Sequence, residues 1–220
     1  MTIFDPNQTH KTMKKSLLIA TLLLLVGTLS MQAQNVIQLP TPLKDNPTTL
    51  VQALQQRRST RQFSDAPISD QVLADLLWAA CGVNRPDEGK LTVPSAMNRQ
   101  DVEIYVCRAD GVWLYNAKEN SLLKKSDSDL RKTMGRGPQT KPEAPIILIL
   151  VSDKKKFEMI DRDFCDLDAG YVSQNIGLAC AAMGLGSVAR AGKNREMLKK
   201  ELGLTDTQVV ILNHPIGYLK

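Results

Sequence analysis

The sequence predicts an α+β fold, and three features carry that prediction. Capped segments with apolar residues at helical spacing are interspersed with extended ones. Val102–Cys107 and Gly111–Tyr115 form a hairpin pattern with Asp110-Gly111 at the turn. Ala144–Val151 is almost unbroken aliphatic chain (Ile146 to Leu150), the pattern of a central strand buried on both faces. At 220 residues and 43% hydrophobic, the chain is long enough to bury one core.

The N-terminus reads as a processing signal. Met13-Lys14-Lys15 gives a positive region, Leu17–Gly27 is apolar, and Ala33 offers a small residue for cleavage. The apolar run falls short of the roughly 20 residues that a membrane-spanning helix needs. Residues 1–33 are therefore expected to be a signal peptide, with Met13 a candidate true start, and no stable membrane span is expected. The protein is expected to be exported to the periplasm. Losing three lysines and one aspartate lowers the net charge from +5 to +3. With only 5% aromatic residues and no basic stripe, nucleic-acid binding is not expected.

Residues 34–45 are a polar arm expected to lie over the surface. Asn46-Pro47 opens a helix, Asn as N-cap and Pro as first residue, with Leu50, Val51 and Leu54 as its apolar pattern, ending about Arg57. Ser69 caps the next helix, Asp70 is its first-turn acid, Leu73, Leu76, Leu77 and Ala80 form its buried face, and Gly82 ends it. Residues 83–100 read as a loop. Asn116–Lys125 either extends the second hairpin strand or leaves the sheet. Asp129–Met134 reads as a short helix, and 135–143 as a Gly/Pro-rich connection. Asp161 or Asp163 opens the longest helix, which runs to about Met183 and is apolar nearly all round from Ile176. Asn194 caps a last amphipathic helix carrying Met197, Leu198 and Leu202. Gln208–Leu212 is the final strand.

Several chemistries find no support. Cys81, Cys107, Cys165 and Cys180 include no C-x-x-C pair, and His214 is the only histidine left after cleavage, so no metal site is expected. Export would permit disulfides, and three pairings stay open; Cys180, in an apolar helical run, reads as a buried thiol. Gly184-x-Gly186 follows a helix, not a strand, and so is no dinucleotide-binding turn. No phosphate-binding G-x-x-x-x-G-K-[ST] and no G-x-S-x-G occur.

The chain reads as built around Arg57-Arg58-Ser59-Thr60-Arg61. Three guanidinium groups so close are costly to hold together unless an anion sits among them, and the arginine fork matches phosphate oxygens in two-point contact. The plain alternative is a basic helix end facing the negative end of the helix dipole. Pro94-Ser95-Ala96-Met97-Asn98-Arg99-Gln100 is a second candidate: Asn98 donates and accepts at once, which suits the edge of a polar heterocycle.

Taken together, Arg57-x-Ser59-x-Arg61, Pro94-Ser95-Ala96-x-Asn98-x-Gln100, Asp168-Ala169-Gly170-x-x-x-Gln174-Asn175 leading to Gly184-Leu185-Gly186-Ser187, and Pro215-Ile216-Gly217-Tyr218 resemble the nitroreductase family of FMN enzymes over residues 46–220. The resemblance implies a three-layer fold, a central mixed β-sheet flanked by helices, in an interlocked homodimer. It implies that Arg57, Arg58 and Ser59 hold the FMN phosphate and ribityl chain. Arg61 and Asn98 would meet the pyrimidine end of the ring, Arg61 stabilising negative charge near N1/O2. Pro94, Ser95, Ala96 and Gln100 complete that loop, and Gly192, preceded by Ala191, would lie near flavin N5. Ala191 stands where many members carry an acid, so their substrate preferences do not transfer. Lys220 ends the sequence where longer members continue with basic residues.

On this reading the protein is an FMN-dependent oxidoreductase passing electrons through flavin N5 to a small electrophile, a nitroaromatic or quinone, from an unknown donor. No catalytic side chain is expected, because the flavin carries the chemistry. An FMN-dependent dehydrogenase and a flavin carrier without turnover are the other readings.

Overall fold

The computed structural model describes residues 35–134, 142–159, 163–191 and 194–220. Two units are distinguished, 1–37 and 38–220. The expected signal segment, most of the 135–143 connection, Asp161 and Gly192 lie outside the described residues. Strand β1 (Val36–Gln38) crosses the boundary between the units. Within the second unit the arm is anchored: Gln38 Nε2 donates to the Glu119 carbonyl at 2.8 Å, Leu39 N to that of Asn120 at 3.1 Å, and Leu39 is buried.

The sheet of the second unit is built on β4 (Val102–Arg108), β5 (Gly111–Asn116), β6 (Ser121–Ser126), β7 (Ile146–Asp153), β8 (Leu185–Ser187), β9 (Arg190–Ala191) and β10 (Gln208–Tyr218). Its order is β6–β5–β4–β7–β10–β8, with β9 also on β10, and each of these pairings is antiparallel. Parallel pairing enters at a bridge between Ser59 and Ser187. The aliphatic run is central, as its pattern predicts: β7 has β4 on one side, β10 on the other, and Ile147 to Val151 fully buried.

The hairpin forms where expected, with Arg108 opposite Gly111. Gly111 takes φ 127°, and a Cβ there would stand 2.2 Å from the Ser126 carbonyl oxygen, so only glycine fits. Asn116–Lys125 does neither of the things the sequence left open. It turns at Asn120 (φ 46°) and returns as β6, a third strand of the meander. The final strand runs six residues past Leu212, with an irregularity between Val210 and Leu212. Pro215 would ordinarily break a central strand. Here β9 pairs at Leu212–Asn213 and β8 at Ile216–Tyr218, so Pro215 falls in the gap between those two partners.

Helix α1 (Leu50–Gln56) starts later than Asn46-Pro47 suggests. Thr49 and Gln52 form a reciprocal capping box, whereas the Asn46 side chain accepts from Thr48 N at 2.8 Å and so makes a turn. The face of α1 also reverses expectation: Ala53 is buried, while Leu50, Val51 and Leu54 are 65%, 63% and 52% exposed. Helix α2 (Asp70–Cys81) is capped by Ser69 and ended by Gly82, with Leu73, Leu76, Leu77 and Ala80 buried as its spacing predicts. The 83–100 segment is more ordered than a loop. It contains the hairpin β2 (Val83–Arg85)/β3 (Lys90–Leu91) and short 3-10 turns at Pro86–Glu88 and Ala96–Asn98. Residues Leu130–Lys132 form a 3-10 turn capped by Asp129.

Helix α3 (Cys165–Ala182) begins after Phe164 instead of at Asp161 or Asp163. Its second half is not buried on every side within one chain: Ile176 and Cys180 are, but Leu178, Ala179, Ala181 and Ala182 are only half-buried. Helix α4 (Arg195–Leu202) follows Asn194, whose side chain does not cap it but donates to the Thr133 carbonyl at 2.7 Å.

Three layers result. On one face of the sheet Tyr105, Cys107, Ile147, Ile149 and Val151 pack with Leu198 and Leu202 of α4. By strand alternation Leu148, Leu150 and Ser152 point to the opposite face, where α3 lies against β7 and α2 against α3. Asn175 Nδ2 ties the two helices, donating to the Ala79 carbonyl at 2.9 Å. All four cysteines are buried and free, Cys180 as its apolar setting predicts.

Candidate functional site

The arginine segment runs beside β8 at the edge of the sheet. Beyond its C-cap residue Arg57, the chain leaves α1 extended and adds itself to two strands. Thr60 N donates to the Ser187 carbonyl at 2.8 Å, and Ser64 N to that of Tyr218 at 3.0 Å. Arg57, Arg58 and Thr60 line a cavity of about 430 Å³ whose opposite wall is Gly177, Cys180 and Ser187. Small residues at the end of α3 leave that space open.

Glycine at 186 lets the segment lie so close. A Cβ there would meet Thr60 Cγ2 at 2.7 Å and Thr60 Cβ at 2.9 Å. Gly186→Ala should therefore push the arginine segment off β8 and cost about 1–3 kcal/mol, read by denaturant unfolding. A stability unchanged within error would show that this contact is not tight.

Arg57, Arg58, Ser59 and Arg61 are exposed, and among the described residues neither an ion pair nor a side-chain hydrogen bond holds any of the three arginines. Arg99 and Arg195 share that state, whereas the remaining described arginines are paired. Arg108 pairs with Asp70 at 2.9 Å, Arg131 with Asp129 at 2.7 Å, and Arg190 with Glu143. Three like charges with no carboxylate to offset them make a positive rim that an anion would stabilise. Arg61 is not part of the cavity lining, and neither is the exposed Lys220.

The second cluster lines a different cavity, of about 410 Å³, through Pro94, Ser95 and Asn98 with Arg85, Lys90 and Thr92. The two cavities share no residue, so one chain does not bring Asn98 to the arginines as a single lining. Both clusters rest on α3. Ala96 N donates to the two Asp168 carboxylate oxygens at 3.1 and 2.9 Å, while Gly177 stands against Arg57. Nine residues along a helix separate those points by about 14 Å.

The Ala96–Gln100 turn is wound tightly, with Met97, Asn98 and Gln100 at φ 50°, 54° and 49°. Such values are costly away from glycine and persist only where surrounding bonds impose them. Ser95 Oγ accepts from Gln100 N at 2.9 Å, and Gln100 Nε2 donates to the Gly89 carbonyl at 2.8 Å. Gln100 is thus a brace of the turn. Asn98 is exposed, with its Oδ1 accepting from Gln100 Nε2 at 3.3 Å and its Nδ2 outward-capable. Ala191 is exposed on β9 opposite Leu212.

Sequence reasoning missed a buried relay behind the arginine cavity. His214 Nδ1 meets Ser187 Oγ at 3.1 Å and its Nε2 meets Ser173 Oγ at 3.0 Å. Burial, then the nearby Arg190 charge, push its pKa down to about 4, so the ring is neutral at physiological pH. Burial likewise pushes the Cys180 thiol up to about 12, so it offers no thiolate. The signal for the relay was available: His214 immediately precedes the Pro215-Ile216-Gly217-Tyr218 tail pattern. Also missed was the partner of Asp168, the fully buried Asp101.

Comparison with known proteins gives consistent results. The model of the Nitroreductase family matches residues 54–218. A nitroreductase-class protein of Methanocaldococcus jannaschii is 27% identical over 181 residues, 76% of this chain and 90% of that protein. A protein of Archaeoglobus fulgidus, classed as an NADH dehydrogenase/NAD(P)H nitroreductase, is 29% identical over 168 residues, 74% of this chain and 82% of its own. Among solved structures, a nitroreductase-class protein of Ralstonia eutropha superposes with a TM-score of 0.77 at 31% identity, covering 84% of this chain and 90% of that one.

Proposed function

Because this chain belongs to the nitroreductase family, we propose that it is an FMN-dependent oxidoreductase that reduces a small electrophile such as a nitroaromatic or quinone. The observation that carries this reading is the run Arg57, Arg58 and Arg61, which has no carboxylate partner among the described residues and of which Arg57 and Arg58 line a glycine-walled cavity. Such a rim suits a dianionic phosphate, since each guanidinium can offer a charge-assisted donor without first leaving a carboxylate.

Arg57, Arg58 and Ser59 would hold the phosphate and ribityl chain. Arg61 and Asn98 would hold the pyrimidine edge, with Pro94, Ser95, Ala96 and Gln100 shaping the loop around it. Ala191 and Gly192 would lie by the reactive edge of the ring, and Lys220 would add a cation near the phosphate. When bound, the flavin supplies the electron transfer, through N5. What the chain supplies is position and charge: Arg61 opposes negative charge that builds at N1/O2, and a neutral His214 steadies Ser187 beneath the arginine segment.

One chain presents the arginine cluster and the Asn98 cluster in separate cavities, which supports a site completed by a second copy. The half-buried strip of α3 and the exposed Leu50, Val51 and Leu54 of α1 offer an apolar surface for such a homodimer. Leu178→Glu should place a charge in that surface and yield monomer with much weaker FMN retention in sedimentation. A variant that remains dimeric would place the interface elsewhere.

Residues 1–33 support export, and with it an electron donor other than free NAD(P)H, such as a quinol or a partner redox protein. Steady turnover tests the main reading. Purified protein with a chemical reductant of flavin and a nitroaromatic or quinone should consume the electrophile catalytically. Reduction of bound flavin without repeated turnover would instead leave a carrier.

A further inference from the structure

We propose that Asp101 and Asp168 share a single proton, and that this proton keeps Asp168 seated beneath the Ser95–Gln100 turn, making Asp168 a positioning residue for Asn98. The two carboxyl groups are 0% and 1% exposed, on the lead-in to β4 and the first turn of α3. Asp168 uses both oxygens to accept from Ala96 N. Asp101 Oδ2 accepts from Ser152 Oγ, itself fully buried, but Asp101 Oδ1 is buried with no hydrogen-bond partner. An orphaned carboxylate oxygen in a dry interior is costly. A proton on Asp168 supplies the donor it lacks.

Among the described residues, no cation takes the proton's place. From α2 and α3 the neighbours are the thiols Cys81 and Cys165, the latter in reach of Ser152. From the turn they are Ser95 and Gln100, and from β7 and its extension Ser152 and Asp153, whose carboxylate accepts from Lys155 N at 3.0 Å. The nearby lysines face other acceptors: Lys156 Nζ donates to the Gln100 carbonyl at 2.7 Å, and Lys154 lies 3.5 Å from Asp163. Two carboxylates lining one small, dry cavity cannot both be ionised at low cost. Burial, and after it the hydrogen bond with Asp101, raise Asp168 to about 6, against the lowering effect of Ala96 N. That value describes the pair as a unit.

Above that pH the pair must hold two negative charges or come apart. Ala96 N bonds an ionised carboxylate more strongly than a neutral one, so the loosening comes from separation: carboxylates driven apart by like charge draw Asp168 from its seat beneath the turn. Three non-glycine residues at positive φ then have less to hold them there. On the reading that Asn98 meets FMN, cofactor binding weakens as the pair deprotonates.

The test compares wild type with Asp168→Asn in the full-length protein. Asparagine keeps an acceptor for Ala96 N and gives Asp101 Oδ1 a permanent N–H donor, so the variant imitates the protonated pair. FMN phosphate itself titrates near pH 6 (about the value for a phosphate monoester), so the readout is the ratio of the two proteins' dissociation constants. That ratio should rise about tenfold in disfavour of wild type between pH 5 and 8, one pK unit being tenfold. Carbon-13 NMR of labelled aspartate carboxyls should show one wild-type group titrating near pH 6 that disappears in the variant. Asp101→Asn, which also removes the shared proton, gives the same NMR readout should Asp168→Asn fail to fold. A wild type in which no aspartate titrates above pH 5, or a constant ratio of affinities, overturns the proposal. If neither protein binds FMN but the NMR step near pH 6 is present, the shared proton stands and the cofactor reading falls.

Discussion

Arg57→Ala and Arg61→Ala should each weaken FMN binding by about ten- to a hundredfold, the loss of about 1.5–3 kcal/mol expected of a charge-assisted contact. Fluorescence-quenching titration of apoprotein reads this directly. Removing either arginine should not lower the thermal stability of the apoprotein, because neither holds a described carboxylate and each repels its neighbours. The combination separates a ligand contact from a structural one. Arg131→Ala supplies the contrast: it breaks a pair 14% and 29% exposed and should destabilise the fold without touching the arginine segment. Unchanged FMN affinity in both Arg57→Ala and Arg61→Ala would remove this cluster from the site.

The second large effect concerns pH, and two buried groups oppose each other in it. His214 has a folded pKa of about 4, below its ordinary 6.5, so the native state binds fewer protons than the unfolded chain between those values. Its contribution is complete above about pH 6.5 and is lost as pH falls toward 4, about 3 kcal/mol in all. Asp168 has a folded pKa of about 6 against an ordinary 3.8, so the native state binds more protons in between. Its contribution is complete below pH 4 and is lost as pH rises through 6, again about 3 kcal/mol. Wild-type stability should therefore be nearly flat from pH 4 to 6. Urea unfolding of His214→Gln should show stability falling with pH across that window, and Asp168→Asn should show it rising. The same flat profile in both variants would mean that neither group is perturbed as its burial implies.

The elements that the sequence made legible are those whose signal is local. Ser69 at the start of α2, the aliphatic run of β7, and the hairpin closed at Gly111 each depend on neighbours within a few residues. What was not legible depends on the packed fold. Pro215 stops a strand by local rules, and nothing in its flanks tells that β8 and β9 leave a gap opposite it. Leu50, Val51 and Leu54 are the apolar pattern of α1, yet the chain buries Ala53 instead. For the site, the arginine cluster was visible as an electrostatic anomaly, and among the described residues those arginines have no carboxylate partner. Gln100, which the resemblance places in the flavin loop, also braces its own turn, a role that no local pattern shows. Asp101 could not be found, because only folding brings it from the lead-in of β4 to the first turn of α3.

The central claim is that the chain carries FMN, and the released chromophore tests it most directly. Protein purified without added cofactor should be yellow. Denaturation should release a noncovalent flavin with the mass of FMN, in an amount approaching that of the chain. A colourless preparation that takes up no added FMN, or a released species of another mass, would contradict the account.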